Sequence, residues 1–218
     1  MEAYLQITTR CNMMCPHCMF SCEPGKGEDM SIDTFKAAIQ FLLDGEHTCF
    51  IGGGEPTLHP EFWSMLGHVM RVNAWYAGET SGPAIGLVTN GTDTDTTLRL
   101  LELAKTGAVY IRLSRAYHDL SMVSDSVIDA FERISKHYDF VAQDSKDYDV
   151  QGTGRGSKYM GGFKTVCNNP QPVIAPDGDI YRCECKEEII GNVFTGLKIE
   201  PDEDNSYGCT YALRNEDD

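Results

Sequence analysis

Three cysteines lie close together near the start of the chain, in the segment CNMMCPHC at residues 11–18. Cys11, Cys15 and Cys18 are separated by three and then two residues. Three thiolates can bind three irons of a [4Fe–4S] cluster and leave the fourth iron open to an outside ligand. The alternative is a zinc site closed by Cys22, because structural zinc sites commonly have four cysteine ligands. The segment therefore predicts a metal centre, either open or closed.

The composition supports metal ligands over disulfides. Nine cysteines gather near the two ends of a chain of 218 residues, and no segment has the pattern of a signal peptide or the length of a membrane span. We therefore expect one domain, or one domain with a small appendage, in the reducing cytoplasm, where cysteines usually bind metals. The net charge of −15 argues against non-specific binding of nucleic acid.

Short strands alternate with amphipathic helices along most of the chain, which predicts an α/β fold with a parallel sheet. The first strand, at 4–10, leads directly into the cysteines. The further strands are predicted at 49–56, 84–91, 108–116 and 139–143, with a sixth near Val150. The helices are predicted from a Ser31 cap to Gly45, from Pro60 onwards, from Asp93 to a stop at Gly107, and around Val127 to Ile134.

The residues with chemical potential follow the strands of this predicted sheet. Glycines 52–54 and Glu55 end the second strand, Asn90 ends the third, and Ser114 ends the fourth. Because the carboxyl ends of parallel strands meet at one edge of a sheet, we expect these residues to lie near the cysteines. Alternation along the fourth strand places Arg112 and Ser114 on a polar face, which is expected to line the interior of a barrel.

The combination of CNMMCPHC after the first strand with GGGEP (52–56) after the second resembles the radical S-adenosylmethionine (radical SAM) superfamily. The resemblance implies a partial (β/α) barrel, trimmed to about five to six units because few residues separate the fourth strand from Cys167. It also implies that Cys11, Cys15 and Cys18 bind a [4Fe–4S] cluster. The amine and carboxylate of S-adenosylmethionine (SAM) would then chelate the open iron.

The resemblance further implies a set of SAM-binding residues. Glycine permits close backbone approach, and a glutamate can accept hydrogen bonds from the methionine ammonium. Two alternatives stay open, since a histidine in this loop can also face solvent and Asn90 can also belong to an ordinary turn. The predicted SAM-binding residues are His17, Gly53, Gly54, Glu55, Asn90, Arg112 and Ser114.

The segment from Cys167 to Cys185, followed by IIGNVF, resembles the SPASM/twitch auxiliary-cluster module. Asp177-Gly178, between two apolar runs, independently predicts a β-hairpin. The resemblance implies a core at residues 1–156 and a twitch-like module with an acidic tail at 157–218. It also implies an auxiliary [4Fe–4S] cluster, and a zinc knuckle is the alternative. The implied ligands are Cys167, Cys183, Cys185 and Cys209. Cys22 and Cys49 are then interpreted as small buried hydrophobic residues.

The implied reaction is reductive cleavage of SAM to a 5′-deoxyadenosyl radical, which abstracts hydrogen from a peptide or amino-acid side chain. A small molecule, a nucleotide or a nucleic-acid base is the alternative substrate. A non-catalytic iron–sulfur or zinc protein is the alternative of a different class. The expected partners are a flavodoxin-like or ferredoxin-like electron donor and a separate leader-peptide-binding protein, because the chain begins directly with its first strand. No membrane partner is expected.

Overall fold

The computed structural model of the chain describes residues 2–76, 85–115, 118–143, 154–156 and 171–199. The strand predicted near Val150, the cysteines Cys167 and Cys209 and the acidic tail lie outside the described residues. Within them, no helix combines the length and apolarity needed to cross a membrane.

Five strands and four helices alternate through the first 143 residues. The strands are β1 (Glu2–Thr8), β2 (Thr48–Gly53), β3 (Ile85–Thr89), β4 (Tyr110–Leu113) and β5 (Val141–Gln143). The helices are α1 (Ile32–Asp44), α2 (Phe62–Tyr76), α3 (Thr94–Ala104) and α4 (Asp125–Ile134). Neighbouring strands are parallel, in the order β5-β4-β3-β2-β1, which confirms the predicted partial (β/α) barrel.

The two faces of this sheet differ as the alternation predicted. Leu5 and Ile7 of β1 and Ile111 of β4 are fully buried on the face that packs against the helices. Tyr4 of β1 and Arg112 of β4 lie on the other face and are half-buried. Burial of one apolar face stabilises the sheet, and the opposite face is left to line the interior of the barrel.

The predicted helix starts are largely confirmed. The Ser31 side chain caps α1 by accepting a hydrogen bond from Thr34 N, and the Asp93 side chain caps α3 in the same way. Helix α2 begins at Phe62 rather than at Pro60, because His59 Nδ1 accepts a hydrogen bond from Glu61 N and turns the chain before the helix. A helix terminus is the part of an element that sequence predicts least well.

Strand β1 ends at Thr8, two residues earlier than predicted. The pairing of β1 with β2 shifts in register between Gln6 and Thr8, and Thr9 N then donates to Glu28 O at 2.9 Å. The chain therefore leaves the sheet before it reaches the cysteines.

The predicted C-terminal hairpin is also confirmed. Strands β6 (Val173–Ile174) and β7 (Asp179–Tyr181) are antiparallel, and Gly178 has a φ of +89° in the turn between them. Strands β8 (Ile189–Asn192) and β9 (Gly196–Leu197) continue the hairpin pattern. Strand β6 pairs in parallel with β1, so the hairpins extend the main sheet at its β1 edge. The domain division after residue 156 stays a prediction.

A buried amide links α2 to the sheet. Asn73, which is 3% exposed, donates from Nδ2 to Ile85 O at 3.0 Å and to Ala108 O at 3.1 Å. Its Oδ1 accepts a hydrogen bond from Ile85 N at 3.2 Å. These bonds fix the start of β3 and the turn before β4. The site residues lie at the opposite ends of these two strands, so their positions depend on where the strands begin.

We predict that Asn73→Ala lowers the free energy of unfolding by about 2 to 4 kcal/mol, because it leaves buried backbone groups without partners. Denaturant unfolding of the cluster-free protein measures the change. Gln40→Ala, which removes an exposed side chain of α1 bonded to Asp44, should change the free energy by less than about 0.5 kcal/mol. Equal effects of the two substitutions would contradict this role for Asn73.

Candidate functional site

The three predicted cluster cysteines lie on one loop at the carboxyl end of β1. We call residues 11–22 the cysteine loop. Cys11, Cys15 and Cys18 are half-buried, whereas Cys22 is buried. Two turns shape the loop, with Cys18 N donating to Cys15 O at 3.2 Å and Ser21 N donating to Cys18 O at 3.3 Å. Three accessible thiols on one short loop are a suitable donor set for an iron–sulfur cluster.

Polar groups surround the Cys11 sulfur. Met13 N donates to Cys11 Sγ at 3.4 Å, and Asn90 Nδ2 lies 4.0 Å from the same sulfur. Asn90 Nδ2 also donates to Asn12 Oδ1 at 3.0 Å, which ties the end of β3 to the cysteine loop. Hydrogen bonds to sulfur stabilise thiolate ligands and tune the reduction potential of a bound cluster.

Burial makes two of the three thiols, Cys11 and Cys15, poor anions on their own. It raises the pKa of Cys11 and raises that of Cys15 to about 11. The positive charge of iron would favour the thiolate form. The residues present therefore fit a group that supplies cationic metal.

Cys22 is the last residue of the loop and is buried. Its hydrogen bond with the Cys18 thiol lowers the pKa of Cys18 to about 6 and raises the pKa of Cys22 itself. Gln6 Nε2 lies 3.9 Å from Cys22 Sγ, and that sulfur lies 3.9 Å from Phe20 O. Cys22 is thus a buried polar contact of the loop. Cys49 lies in the apolar core at 2% exposure, as interpreted from the sequence.

The glycine segment after β2 packs directly against the chain that leads into the cysteine loop. A Cβ at Gly53 would lie 2.2 Å from Thr8 O, and a Cβ at Gly54 would lie 1.9 Å from Arg10 O. Gly53 also has a φ of +152°, which favours glycine. The two predicted SAM-binding glycines, Gly53 and Gly54, are therefore needed for packing, because a side chain at either position would collide with the neighbouring backbone.

Glu55 joins the ends of β2 and β3 through a buried carboxylate that is 1% exposed. Its Oε1 accepts hydrogen bonds from Thr57 N at 3.2 Å, Thr57 Oγ1 at 2.7 Å and Thr89 Oγ1 at 2.8 Å. Its Oε2 accepts one from Asn90 N at 2.7 Å. Burial nevertheless raises the pKa of Glu55. Among the described residues, Oε2 receives the fewer donors and keeps capacity for another.

Two histidines meet beside Cys15. The rings of His17 and His118 are 4.9 Å apart in an edge-on arrangement, and the ligand atoms of Cys15, His17 and His118 all lie within 4.8 Å of one another. Burial, followed by the charges of His118 and Arg155, lowers the pKa of His17 to about 4. His17 was predicted from its place beside the last motif cysteine, whereas His118 was not predicted, because the two histidines lie about 100 residues apart in sequence.

The predicted residues of β4 line the barrel interior. Arg112 lies over the Phe50 ring, 5.1 Å from its centre, and the Tyr110 ring packs against Phe50 at 5.5 Å. Ser114 is half-buried, and its backbone N donates to Thr89 O at 2.9 Å. The structure thus brings Ser114 and Asn90 to neighbouring strand ends, while Arg112 lies two residues before Ser114 on the same face.

The C-terminal cysteines Cys183 and Cys185 form a pair. A hydrogen bond from the Cys185 side chain lowers the pKa of Cys183 to about 6. The next residue, Lys186, reaches the barrel interior, where its Nζ donates to Gln6 Oε1 and lies 5.2 Å from the centre of the Phe20 ring. The segment between β7 and β8 therefore contacts the cysteine loop at Phe20. The other two predicted ligands, Cys167 and Cys209, lie outside the described residues.

Comparison with known proteins shows the family to which the chain belongs. A family model described as the radical SAM superfamily matches residues 5–142. The chain is 36% identical over 118 residues to the tungsten-containing aldehyde ferredoxin oxidoreductase cofactor-modifying protein of Pyrococcus furiosus, an alignment that covers 51% of this chain and 29% of that protein. It is 36% identical over 72 residues to the antilisterial bacteriocin subtilosin biosynthesis protein AlbA of Bacillus subtilis, covering 33% of this chain and 16% of that protein. The alignments thus span less than a third of either relative.

Two solved structures share the fold. BtrN in complex with AdoMet and 2-DOIA superimposes with a TM-score of 0.58 at 16% identity, covering 88% of this chain and 78% of BtrN. Native anSMEcpe with bound AdoMet and Kp18Cys peptide superimposes with a TM-score of 0.55 at 16% identity, covering 90% of this chain and 78% of that chain. At this identity the similarity establishes the partial-barrel fold alone.

We predict that Glu55→Gln lowers the free energy of unfolding of the cluster-free protein by about 1 to 3 kcal/mol, since the new amide group brings a donor against Asn90 N or against the threonine donors. Denaturant unfolding without added SAM gives the value. Glu61→Gln is the matched control, because Glu61 is exposed and loses the same charge. A Glu55→Gln protein as stable as the wild type would show that this carboxylate does not hold the two strand ends together.

Proposed function

Because this chain belongs to the radical SAM superfamily, we propose that it cleaves SAM reductively at a [4Fe–4S] cluster bound by Cys11, Cys15 and Cys18. The observation that carries the proposal is the placement of three half-buried thiols on one loop, the first of which, Cys11, lies directly against Gly54. When bound, the cluster supplies one electron to SAM, which yields methionine and a 5′-deoxyadenosyl radical that abstracts hydrogen from the substrate.

The surrounding residues have separate tasks in this proposal. Met13 N and Asn90 Nδ2 stabilise the Cys11 thiolate. The Oε2 atom of Glu55 accepts a hydrogen bond from the methionine ammonium, in addition to the one from Asn90 N. His17 contacts the adenine, and Ser114 contacts the ribose or the methionine part of SAM.

The barrel interior is the proposed place of hydrogen abstraction. Phe50, Tyr110 and Arg112 form a half-buried aromatic and cationic surface there. Such a surface excludes water from a reactive radical while it binds the substrate. Its aromatic rings suit an organic substrate with both apolar and anionic groups.

We favour a peptide or an amino-acid side chain as the substrate. The relative AlbA is named for bacteriocin biosynthesis, and anSMEcpe was solved with a bound peptide. Modification of a small molecule is the second candidate, because the Pyrococcus furiosus relative is named for modification of a cofactor. The proposed partners are a flavodoxin-like or ferredoxin-like electron donor in the cytoplasm and a separate leader-peptide-binding protein.

A second [4Fe–4S] cluster belongs to the proposal. The hydrogen-bonded pair Cys183 and Cys185 supports it, since paired thiols with one lowered pKa are suited to metal binding. Cys167 and Cys209 would complete the ligand set. This auxiliary cluster would bind the substrate or accept the electron left after hydrogen abstraction.

The reconstituted, reduced protein should form 5′-deoxyadenosine from SAM, and Cys11→Ala, Cys15→Ala or Cys18→Ala should each abolish it by removing a ligand of an iron. Chromatography of the reaction mixture measures the product.

Two other cysteine variants test whether three cysteines, rather than four, bind the cluster. Cys49→Ala is the matched control, because Cys49 is buried in the core. Cys22→Ala should keep both its cluster and its activity. Loss of the cluster in Cys22→Ala would indicate a closed four-cysteine site and overturn the radical SAM activity.

The intact protein should contain about eight irons, falling to about four when Cys183 and Cys185 are both changed to Ala. The double variant should still cleave SAM without substrate, because the cluster of the cysteine loop is unchanged. Iron and sulfide analysis with Mössbauer spectroscopy gives the count. Zinc in place of iron at the C-terminal cysteines would refute the auxiliary cluster and leave SAM cleavage unaffected.

A further inference from the structure

A short segment far along the chain packs against the cysteine loop. Residues 154–156, Gly-Arg-Gly, lie beside it, although about 140 residues separate them from it in sequence. No sequence motif predicted a role for this segment. Arg155 is half-buried, and Gly156 is buried.

Arg155 binds three backbone carbonyls of the cysteine loop, two in its middle and one at its end. Its Nε donates to Cys15 O at 3.0 Å, and its Nη2 donates to Cys22 O. Its backbone N donates to Cys18 O at 3.0 Å. Cys15 O and Cys18 O, which accept the hydrogen bonds of the loop's two turns, are therefore each bound by Arg155 as well. One residue thus fixes the carbonyl of each of the last two cluster cysteines and of Cys22.

The preceding glycine makes this approach possible. Gly154 has a φ of +55°, and a Cβ there would lie 2.1 Å from Met19 O and 2.8 Å from Cys18 O. No other residue fits at that distance from a backbone oxygen without moving the chain. The segment is therefore shaped for contact with the loop.

Arg155 also places a positive charge beside the thiols. The guanidinium interacts electrostatically with both Cys15 and Cys18. A cation at a partly desolvated site acts more strongly than one in water. Each electron added to a cluster bound by three thiolates increases its negative charge, so a nearby cation favours the reduced form.

We propose that Arg155 is a positioning residue that holds the cysteine loop in its cluster-binding shape and raises the reduction potential of the cluster. The inference rests on the proposed function for the identity of the bound group. It assigns two separable contributions to one side chain, which are the forked hydrogen bonding of the guanidinium and its charge.

The loop contribution is tested without any cluster. Hydrogen–deuterium exchange of residues 11–22 is compared in the cluster-free wild type, Arg155→Met and Arg155→Lys. Both variants should exchange at least about tenfold faster in the loop, because neither methionine nor lysine reproduces the fork. Arg99→Met is the matched control, since Arg99 is an exposed arginine stacked on Trp63 at 4.1 Å. Unchanged exchange in Arg155→Met overturns the positioning role.

The charge contribution is tested on the reconstituted protein by a redox titration followed by electron paramagnetic resonance. Arg155→Met should reduce the ratio of reduced to oxidised cluster about tenfold at a fixed potential, which corresponds to about 59 mV for a one-electron couple. Arg155→Lys keeps the charge and should return the ratio to within about threefold of wild type. Equal potentials in the wild type and Arg155→Met overturn this half of the proposal.

The two measurements separate the proposal from its premise. A wild type that binds no iron refutes the proposed function, while the exchange result still decides the positioning role. If circular dichroism shows that Arg155→Met is folded but iron analysis finds no cluster in it, the positioning role is supported. The reduction potential is then measured on Arg155→Lys. The proposal requires that Arg155→Lys has nearly the wild-type reduction potential while its residues 11–22 still exchange faster than those of the wild type.

Discussion

The site depends on the contact between the glycines where β2 ends and the backbone where β1 ends. Gly54 N donates to Thr8 O at 2.8 Å, and Glu55 N donates to Arg10 O at 2.8 Å. At Gly54 a Cβ would lie 1.9 Å from Arg10 O, so a side chain there would force the two segments apart. The chain that carries Cys11 follows immediately. The position of the cysteine loop relative to the sheet is therefore set by backbone contact that only glycine allows.

The same contact directs Glu55 into the protein, where a carboxylate is costly unless donors surround it. Thr57, Thr89 and Asn90 supply those donors. Because Asn90 N is bound by Glu55, the Asn90 side chain is placed beside Cys11 Sγ. A buried charge thus transmits the geometry of β2 and β3 to the first cluster cysteine, and its desolvation cost is offset by hydrogen bonds that have this positioning effect.

Local signals made the barrel predictable. Hydrophobic periodicity, helix caps such as Ser31 and the Asp177-Gly178 turn are encoded within a few residues, and the structure follows them. The site was predictable where it lies at strand ends, since parallel strands bring those ends together. The contacts of Arg155, His118 and Lys186 were not predictable, because each joins residues about 100 to 180 positions apart and no local pattern encodes such pairing. Pairing of β6 with β1 is unpredictable for the same reason.

Two cations from the later part of the chain lie at the cysteine loop of an acidic protein. The protein carries a net charge of −15, which disfavours adding an electron to an anionic centre. Yet Lys186 enters the barrel interior, near Cys22, with a φ of +55° that costs about 1 kcal/mol or more in a non-glycine residue. Gln6 and the rings of Phe20 and Tyr181 hold its ammonium there. Arg155 brings a second cation to the same loop. An acidic chain thus places two cations from distant segments at its cysteine loop, and charges at that short distance act on a reducible centre in the loop more strongly than the distant surface charges do.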